Sequence, residues 1–340
     1  MKHKSILALL LVFALGRAQA QIPDITMVKY GSVKIEDVNV FYRETGSADK
    51  PTLLLLHGFP TSSHMFRNLM IALQDKYHLI APDYPGYGSS SAPSIANFDY
   101  TFDHLAVIID KFAQAKGLNK YSLYVMDYGA PIGFRLATMH PEKVQALIIQ
   151  NGNAYDEGLE EFWKPFRALW KDPKKQENID AMMKILTIEA TKWQYTNGVG
   201  DTTKISPENW IIDQAGMDRP GNKDIQLALF YSYGSNPPLY PKWQAYFRKY
   251  QPPTIVLWGK NDYIFPPSAA NPIASSSSLR DVIAVASLSS NSPRSFKVLF
   301  EKVLNALFAA ATALSTSCAF ARITWVAFVP SSGLYSSRIC

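Results

Sequence analysis

The chain has 340 residues, 47% of them hydrophobic and 13% aromatic, enough to bury a large core, which excludes a disordered tail, a collagen-like repeat and a small disulfide-stapled scaffold. Its formal charge of +6 sits at the ends: residues 1–20 carry three basic and no acidic side chains, and residues 273–340 six basic against two acidic. Between them, residues 21–272 hold 25 basic and 26 acidic side chains with no basic stripe, so no nucleic-acid partner is expected.

The N-terminus opens with Lys2 and Lys4, an apolar run from Ile6 to Leu15, and then Ala18, Gln19 and Ala20. That order is a secretory leader over 1–20 cleaved after Ala20, and the run is too short to span a bilayer. A secreted or periplasmic protein with no stable membrane anchor is the expectation. Both cysteines, Cys318 and Cys340, lie near the C-terminus, so most of the chain needs no disulfide.

From Val28 to Glu44, short β-branched and aromatic runs broken at Gly31 and turning near Asp37 predict two antiparallel strands. Thr52–Leu56, His78–Ala81, Tyr121–Met126 and Val144–Gln150 read as short buried strands, and Thr254–Trp258 as another. Helices are predicted over His64–Gln74, from an N-cap at Thr101 to Lys116, and over Gly129–Met139. The second has Leu105, Ile108, Ile109 and Phe112 on one face. Strands alternating with helices at this spacing predict an α/β fold, a doubly wound and mostly parallel sheet whose ligands sit beyond the strand ends. Residues 153–250, rich in Trp, Tyr, Phe and charge, contain no buried-strand pattern and predict a helical cap inserted between two core parts, 21–152 and 251–272.

At the end of the Tyr121–Met126 strand stand Asp127 and Tyr128, directly before the helix that starts at Gly129. A sharp strand-to-helix turn presents one side chain at a helix N-terminus, which makes this a nucleophile elbow carrying Asp in place of Ser. A carboxylate attacking saturated carbon forms an alkyl ester, whereas on an acyl group it would form a labile anhydride, so esterase and lipase chemistry is disfavoured.

With HGFP at 57–60, DYPGYGSS at 83–90, MDYGAPIG at 126–133 and LWGKNDYIF at 257–265, the stretch 28–272 resembles the α/β-hydrolase family, in particular its epoxide hydrolase and haloalkane dehalogenase branch. The resemblance implies Asp127 as nucleophile, the backbone amides of Phe59 and Tyr128 as oxyanion hole, and Asp262 as the acid of the triad. It also implies two cap tyrosines that donate to an opening epoxide oxygen, Tyr195 and either Tyr233 or Tyr231, and a small apolar electrophile, an epoxide or a halide, as substrate. It calls for no cofactor and no metal. Three departures stand out: Tyr128 where the family usually has Trp, Val125 where it has a small residue, and no His after Asp262, although a His there is the family's base.

The histidines are His3, His57, His64, His78, His104 and His140. Residues 273–340 hold fifteen serines, no His and no recognisable last strand, so this atypical tail is expected to be foreign to the fold. An epoxide hydrolase-like enzyme, impaired in turnover, is the leading expectation. The alternatives are a haloalkane dehalogenase-like hydrolase and a non-catalytic ligand-binding relative.

Overall fold

The computed structural model describes residues 28–275 and 328–329. The expected leader, both cysteines and nearly all of the tail lie outside the described residues. Eight strands form one sheet: β1 (Lys29–Ile35), β2 (Val38–Thr45), β3 (Thr52–Leu56), β4 (His78–Pro82), β5 (Tyr121–Met126), β6 (Val144–Gln150), β7 (Thr254–Gly259) and β8 (Phe328–Val329). Their order is β1-β2-β4-β3-β5-β6-β7-β8. The β1–β2 and β2–β4 pairs are antiparallel and the others parallel. Every residue of β4, β5 and β7 is buried, as a parallel strand covered on both faces requires.

Two local expectations are corrected. β1 continues through Gly31, which pairs with Tyr42. A Cβ at Gly31 would stand 2.6 Å from the Tyr42 hydroxyl, so the glycine makes room for a cross-strand ring rather than ending the strand. The helix expected over His64–Gln74 is split into a 3₁₀ turn, Ser63–Phe66, and α1 (Arg67–Leu73). The tail, for which no last strand was recognisable, supplies β8: Phe328 and Val329 pair in parallel with Trp258 and Gly259.

Helix α2 (Phe102–Ala115) starts where Thr101 accepts a hydrogen bond from the His104 amide, and its buried face includes Leu105, Ile108, Ile109 and Phe112. α3 (Gly129–Met139) follows β5 directly. Between β6 and β7 lie only helices and 3₁₀ turns: α4 (Lys164–Lys171), α5 (Gln176–Met183), α6 (Ile188–Thr196), α7 (Glu208–Met217), α8 (Asn222–Ser232) and α9 (Tyr240–Tyr250). A short α10 (Ala270–Ser275) follows β7. Among the described residues no helix is long and apolar enough to cross a membrane.

Aromatic packing seats the inserted helices on the core. Phe230 meets Phe59 at 5.1 Å, Tyr233 meets Tyr128 at 5.9 Å, and Trp163 meets Phe265 at 5.2 Å between ring centroids. Arg135 of α3 adds a polar anchor, donating to Asn236 at 2.7 Å and to Asp103 at 2.6 Å. The Trp163 indole donates to the Ile264 carbonyl at 2.7 Å, tying the insert to the loop that carries Asp262.

At the opposite end of the strands, Glu44 accepts from His78 at 2.8 Å and from Lys116 at 2.9 Å. The His78 hydrogen bond, helped by Lys116 and opposed by burial, holds its carboxyl down at about 2. A carboxylate lowered in the folded state stabilises the fold above its unfolded pKa and loses that contribution as pH falls towards the folded value. Acid titration of Glu44→Gln is therefore expected to show a shallower loss of stability than the parent between about pH 4.5 and 2, measured as urea midpoints.

Candidate active site

Strands β3 and β5 are neighbours, yet the chain leaves β3 towards β4 on one side and β5 towards β6 on the other. Their carboxyl ends thus flank the point where the sheet reverses its winding, the place where an open α/β sheet leaves a crevice. The loop His57–Pro60 follows β3, and Asp127 follows β5.

Asp127 has φ +48°, a conformation that costs a non-glycine residue about 1 kcal/mol or more. The surroundings hold it there. A Cβ on Gly129 would lie 2.1 Å from the Leu56 carbonyl oxygen, and one on Gly58 would lie 2.5 Å from the Asp127 Cβ. Only bare backbone lets the two loops close on each other. Gly133 leaves the space that the Val125 side chain occupies, a Cβ there standing 2.4 Å from Val125 Cγ1, which accommodates a larger residue before the elbow.

Asp127 is 8% exposed. Its Oδ1 accepts from the Phe59 amide at 2.7 Å and from the Tyr128 amide at 2.6 Å. The two amides that the sequence points to as an oxyanion hole therefore converge on one oxygen of this carboxyl. Burial pushes its pKa up to about 7 against the pull of those amides, and the charge of Asp262 adds to the rise.

Asp262 lies beyond β7 and is fastened by its own loop, its Oδ1 accepting from the Ile264 amide at 2.8 Å and the Phe265 amide at 3.0 Å. Its other oxygen accepts from the Asn151 side chain. Burial raises its pKa to about 6 despite these three donors.

Asn151 is a residue that sequence reasoning missed. It sits just past β6 with φ +44°; its carbonyl accepts from the Asp127 amide at 3.4 Å and its own amide donates to the Leu257 carbonyl at 3.1 Å. Its Oδ1 accepts from Gly259 at 3.3 Å. One buried residue thus joins the elbow, through its backbone carbonyl, to the acid loop, through its side chain. The signal available in the sequence was the pair Asn151 and Gly152 at a strand end, Asn being a residue that tolerates positive φ. Asn151→Ala is expected to cost about 1–3 kcal/mol through stranded polar groups, read by urea unfolding. It should also push the Asp262 pKa above its present value, since a donor to the carboxylate is removed.

The other expected residues separate. Tyr233 is buried where the insert meets the core, its ring 4.6 Å from Trp163 and 5.4 Å from Phe102, and its hydroxyl is hydrogen-bonded to Tyr240. Tyr195 is buried on α6 and its hydroxyl donates to Asp213. Burial raises the Asp213 pKa to about 7, and Asp213 borders a cavity of about 300 Å³ shared with Thr61, Tyr87 and Arg219. Tyr231, the alternative to Tyr233, is 49% exposed and is no member of the buried cluster.

No described histidine takes the place of a base downstream of Asp262. His57 is fully buried, with Nδ1 bonded to the Gly58 carbonyl at 3.0 Å and Nε2 accepting from the Tyr84 amide at 3.2 Å. Burial drives its pKa down to about 4, so both ring nitrogens are committed to holding the loop. His64 is likewise pushed down to about 4 by burial, with Arg67 and Arg43 adding to it. His78 pairs with Glu44 at the far end of the sheet, and His104 and His140 pair with Glu36 and Asp110.

This elbow on a doubly wound sheet under a helical insert is the architecture of a hydrolase class, and comparison with known proteins agrees. The family profile described as alpha/beta hydrolase fold matches residues 51–174. An uncharacterized hydrolase of Saccharomyces cerevisiae is 40% identical over 243 residues, 70% of this chain and 83% of the yeast protein. The chain belongs to the α/β-hydrolase fold family.

Within it, the chain is related to haloalkane dehalogenases and epoxide hydrolases. A haloalkane dehalogenase of Mesorhizobium japonicum is 34% identical over 187 residues, 55% of this chain and 53% of that protein. Epoxide hydrolase 3 of Mus musculus is 26% identical over 241 residues, 68% of this chain and 63% of the mouse protein. Among solved structures, a haloalkane dehalogenase loop variant from Bradyrhizobium elkanii superposes with a TM-score of 0.63 at 20% identity, covering 85% of this chain and 100% of that one. An epoxide hydrolase from Vigna radiata gives 0.57 at 23% identity, over 72% and 84%. These last two likenesses concern the fold.

Proposed function

We propose that this hydrolase opens small apolar electrophiles, epoxides in the first place, through a covalent alkyl ester on Asp127. The observation that carries the reading is the unequal state of the two Asp127 oxygens. Oδ1 is held by the Phe59 and Tyr128 amides, which leaves Oδ2 as the atom to attack carbon. After attack, Oδ1 is the ester carbonyl oxygen, and it already sits between the two donors that would stabilise the oxyanion when water adds. The burial that lifts this carboxyl to about 7 strips its hydration and raises its reactivity once ionised.

The aromatic rings of Phe59, Phe230, Tyr233 and Trp163, packed in the same buried cluster as Tyr128, suit an apolar substrate. The haloalkane dehalogenase relatives support a second electrophile class, alkyl halides, which reacts with the same oxygen and is told apart by halide release. Incubation with a small terminal epoxide, followed by intact and peptide mass analysis, tests the reading. The expected result is a single adduct on Asp127, and unmodified Asp127 together with unchanged epoxide refutes it.

A further inference from the structure

The opening of an epoxide leaves a charge on oxygen that needs a hydrogen-bond donor, and a donor already bonded to protein is a poor source of one. Four tyrosines are close enough to Asp127 for its negative charge to raise their pKa: Tyr84, Tyr87, Tyr128 and Tyr233. Tyr84 donates to the His57 carbonyl at 3.0 Å, Tyr87 donates to Gln226 at 2.5 Å, and Tyr233 is bonded to Tyr240. Tyr195, the other cap tyrosine, donates to a carboxylate. The Tyr128 hydroxyl is buried and has no hydrogen-bond partner among the described residues.

Its ring packs 5.8 Å from Phe59, 4.8 Å from Phe102 and 5.9 Å from Tyr233, and its backbone amide donates to the Asp127 carboxyl at 2.6 Å. An unbonded buried hydroxyl costs stability, and a substrate oxygen arriving beside Asp127 would satisfy it.

We propose that the Tyr128 side chain is the catalytic donor to the epoxide oxygen, in addition to the oxyanion contact made by its amide; this rests on the reading of Asp127 above. Asp127 Oδ2 forms the new C–O bond while the ring C–O bond breaks, and its electron pair stays on the departing oxygen. The Tyr128 phenol passes its proton to that oxygen, leaving a hydroxyalkyl ester and a phenolate that is reprotonated from water. Burial keeps the phenol protonated at neutral pH, as a donor must be.

The test is Tyr128→Phe, which deletes the hydroxyl and keeps the ring. Rates of adduct formation on Asp127 are compared for a terminal epoxide, whose oxygen needs a proton, and a primary iodoalkane, whose leaving group does not. The expected result is a fall of at least about tenfold in the epoxide-to-iodoalkane rate ratio, within the range of a lost general acid, with a urea midpoint equal to or above the parent's. A role in packing alone would slow both electrophiles together, so an unchanged ratio overturns the assignment of Tyr128 while the Asp127 reading stands. If the parent forms no adduct with either electrophile, both readings fall, and if it reacts with the iodoalkane alone, the epoxide assignment and the donor role of Tyr128 fall together.

Discussion

Asp127→Asn is expected to abolish adduct formation, lowering its rate by at least ~10⁴ because the attacking carboxylate is the reaction's nucleophile. The fold should survive, since the asparagine Oδ1 can still accept from the Phe59 and Tyr128 amides that now hold Asp127 at 2.7 and 2.6 Å. The same variant is expected to be more stable than the parent at alkaline pH. Asp127 is buried with a pKa raised from 3.8 to about 7, so the ionised group favours the unfolded chain. The sign follows from linkage: below the unfolded value the carboxyl is neutral in both states and contributes nothing. The penalty grows as pH rises between the two values and is complete above the folded one. At pH 8 it amounts to roughly 4 kcal/mol. Urea midpoints for parent and variant should therefore converge near pH 4 and diverge in favour of the variant by pH 8. The alkylation rate of the parent should rise over the same interval as the carboxylate ionises, and a pH-independent rate between 5 and 8 would count against Asp127 as the attacking group.

The second large effect concerns turnover. Incubation of the chain with excess epoxide is expected to give a burst of about one equivalent per protein, followed by release slower by ~10² to 10⁴ than in a relative with its base in place. No His follows Asp262, and the buried His57 in the loop after β3 has both nitrogens engaged. Asp262 is itself tied to Asn151, Ile264 and Phe265. Quenched-flow sampling with mass detection measures both phases. Steady multiple turnover with no accumulating adduct would mean that water reaches the ester by a route none of these groups explains.

The strand pattern, the place of the elbow and the helix bounds at Thr101 and Gly129 were readable because they are local. A run such as Leu53–Leu56 has one way to be buried, and Asp followed by Tyr and Gly at a strand-to-helix junction has one sharp turn to make. Gly31 misled because a glycine reads as a break, and only the pairing with Tyr42 reveals the ring it accommodates. Asn151 was missed for a similar reason: its neighbours in chain are Gln150 and Gly152, while its partners are Asp127, Leu257, Gly259 and Asp262.

The sequence by itself determined the class of fold, the acidic residue at the elbow, the acid after the penultimate strand and the lack of a downstream histidine, since each depends on residue type and spacing along one stretch of chain. Only the tertiary structure decided how the hydroxyls were used. Tyr195 and Tyr233 look like free donors in a one-dimensional reading, but Asp213 and Tyr240, each brought up from another helix, occupy them, whereas the Tyr128 hydroxyl, among its rings, has no hydrogen-bond partner among the described residues. A hydrogen bond is settled by which groups meet after burial, and that is a property of packing between separate elements.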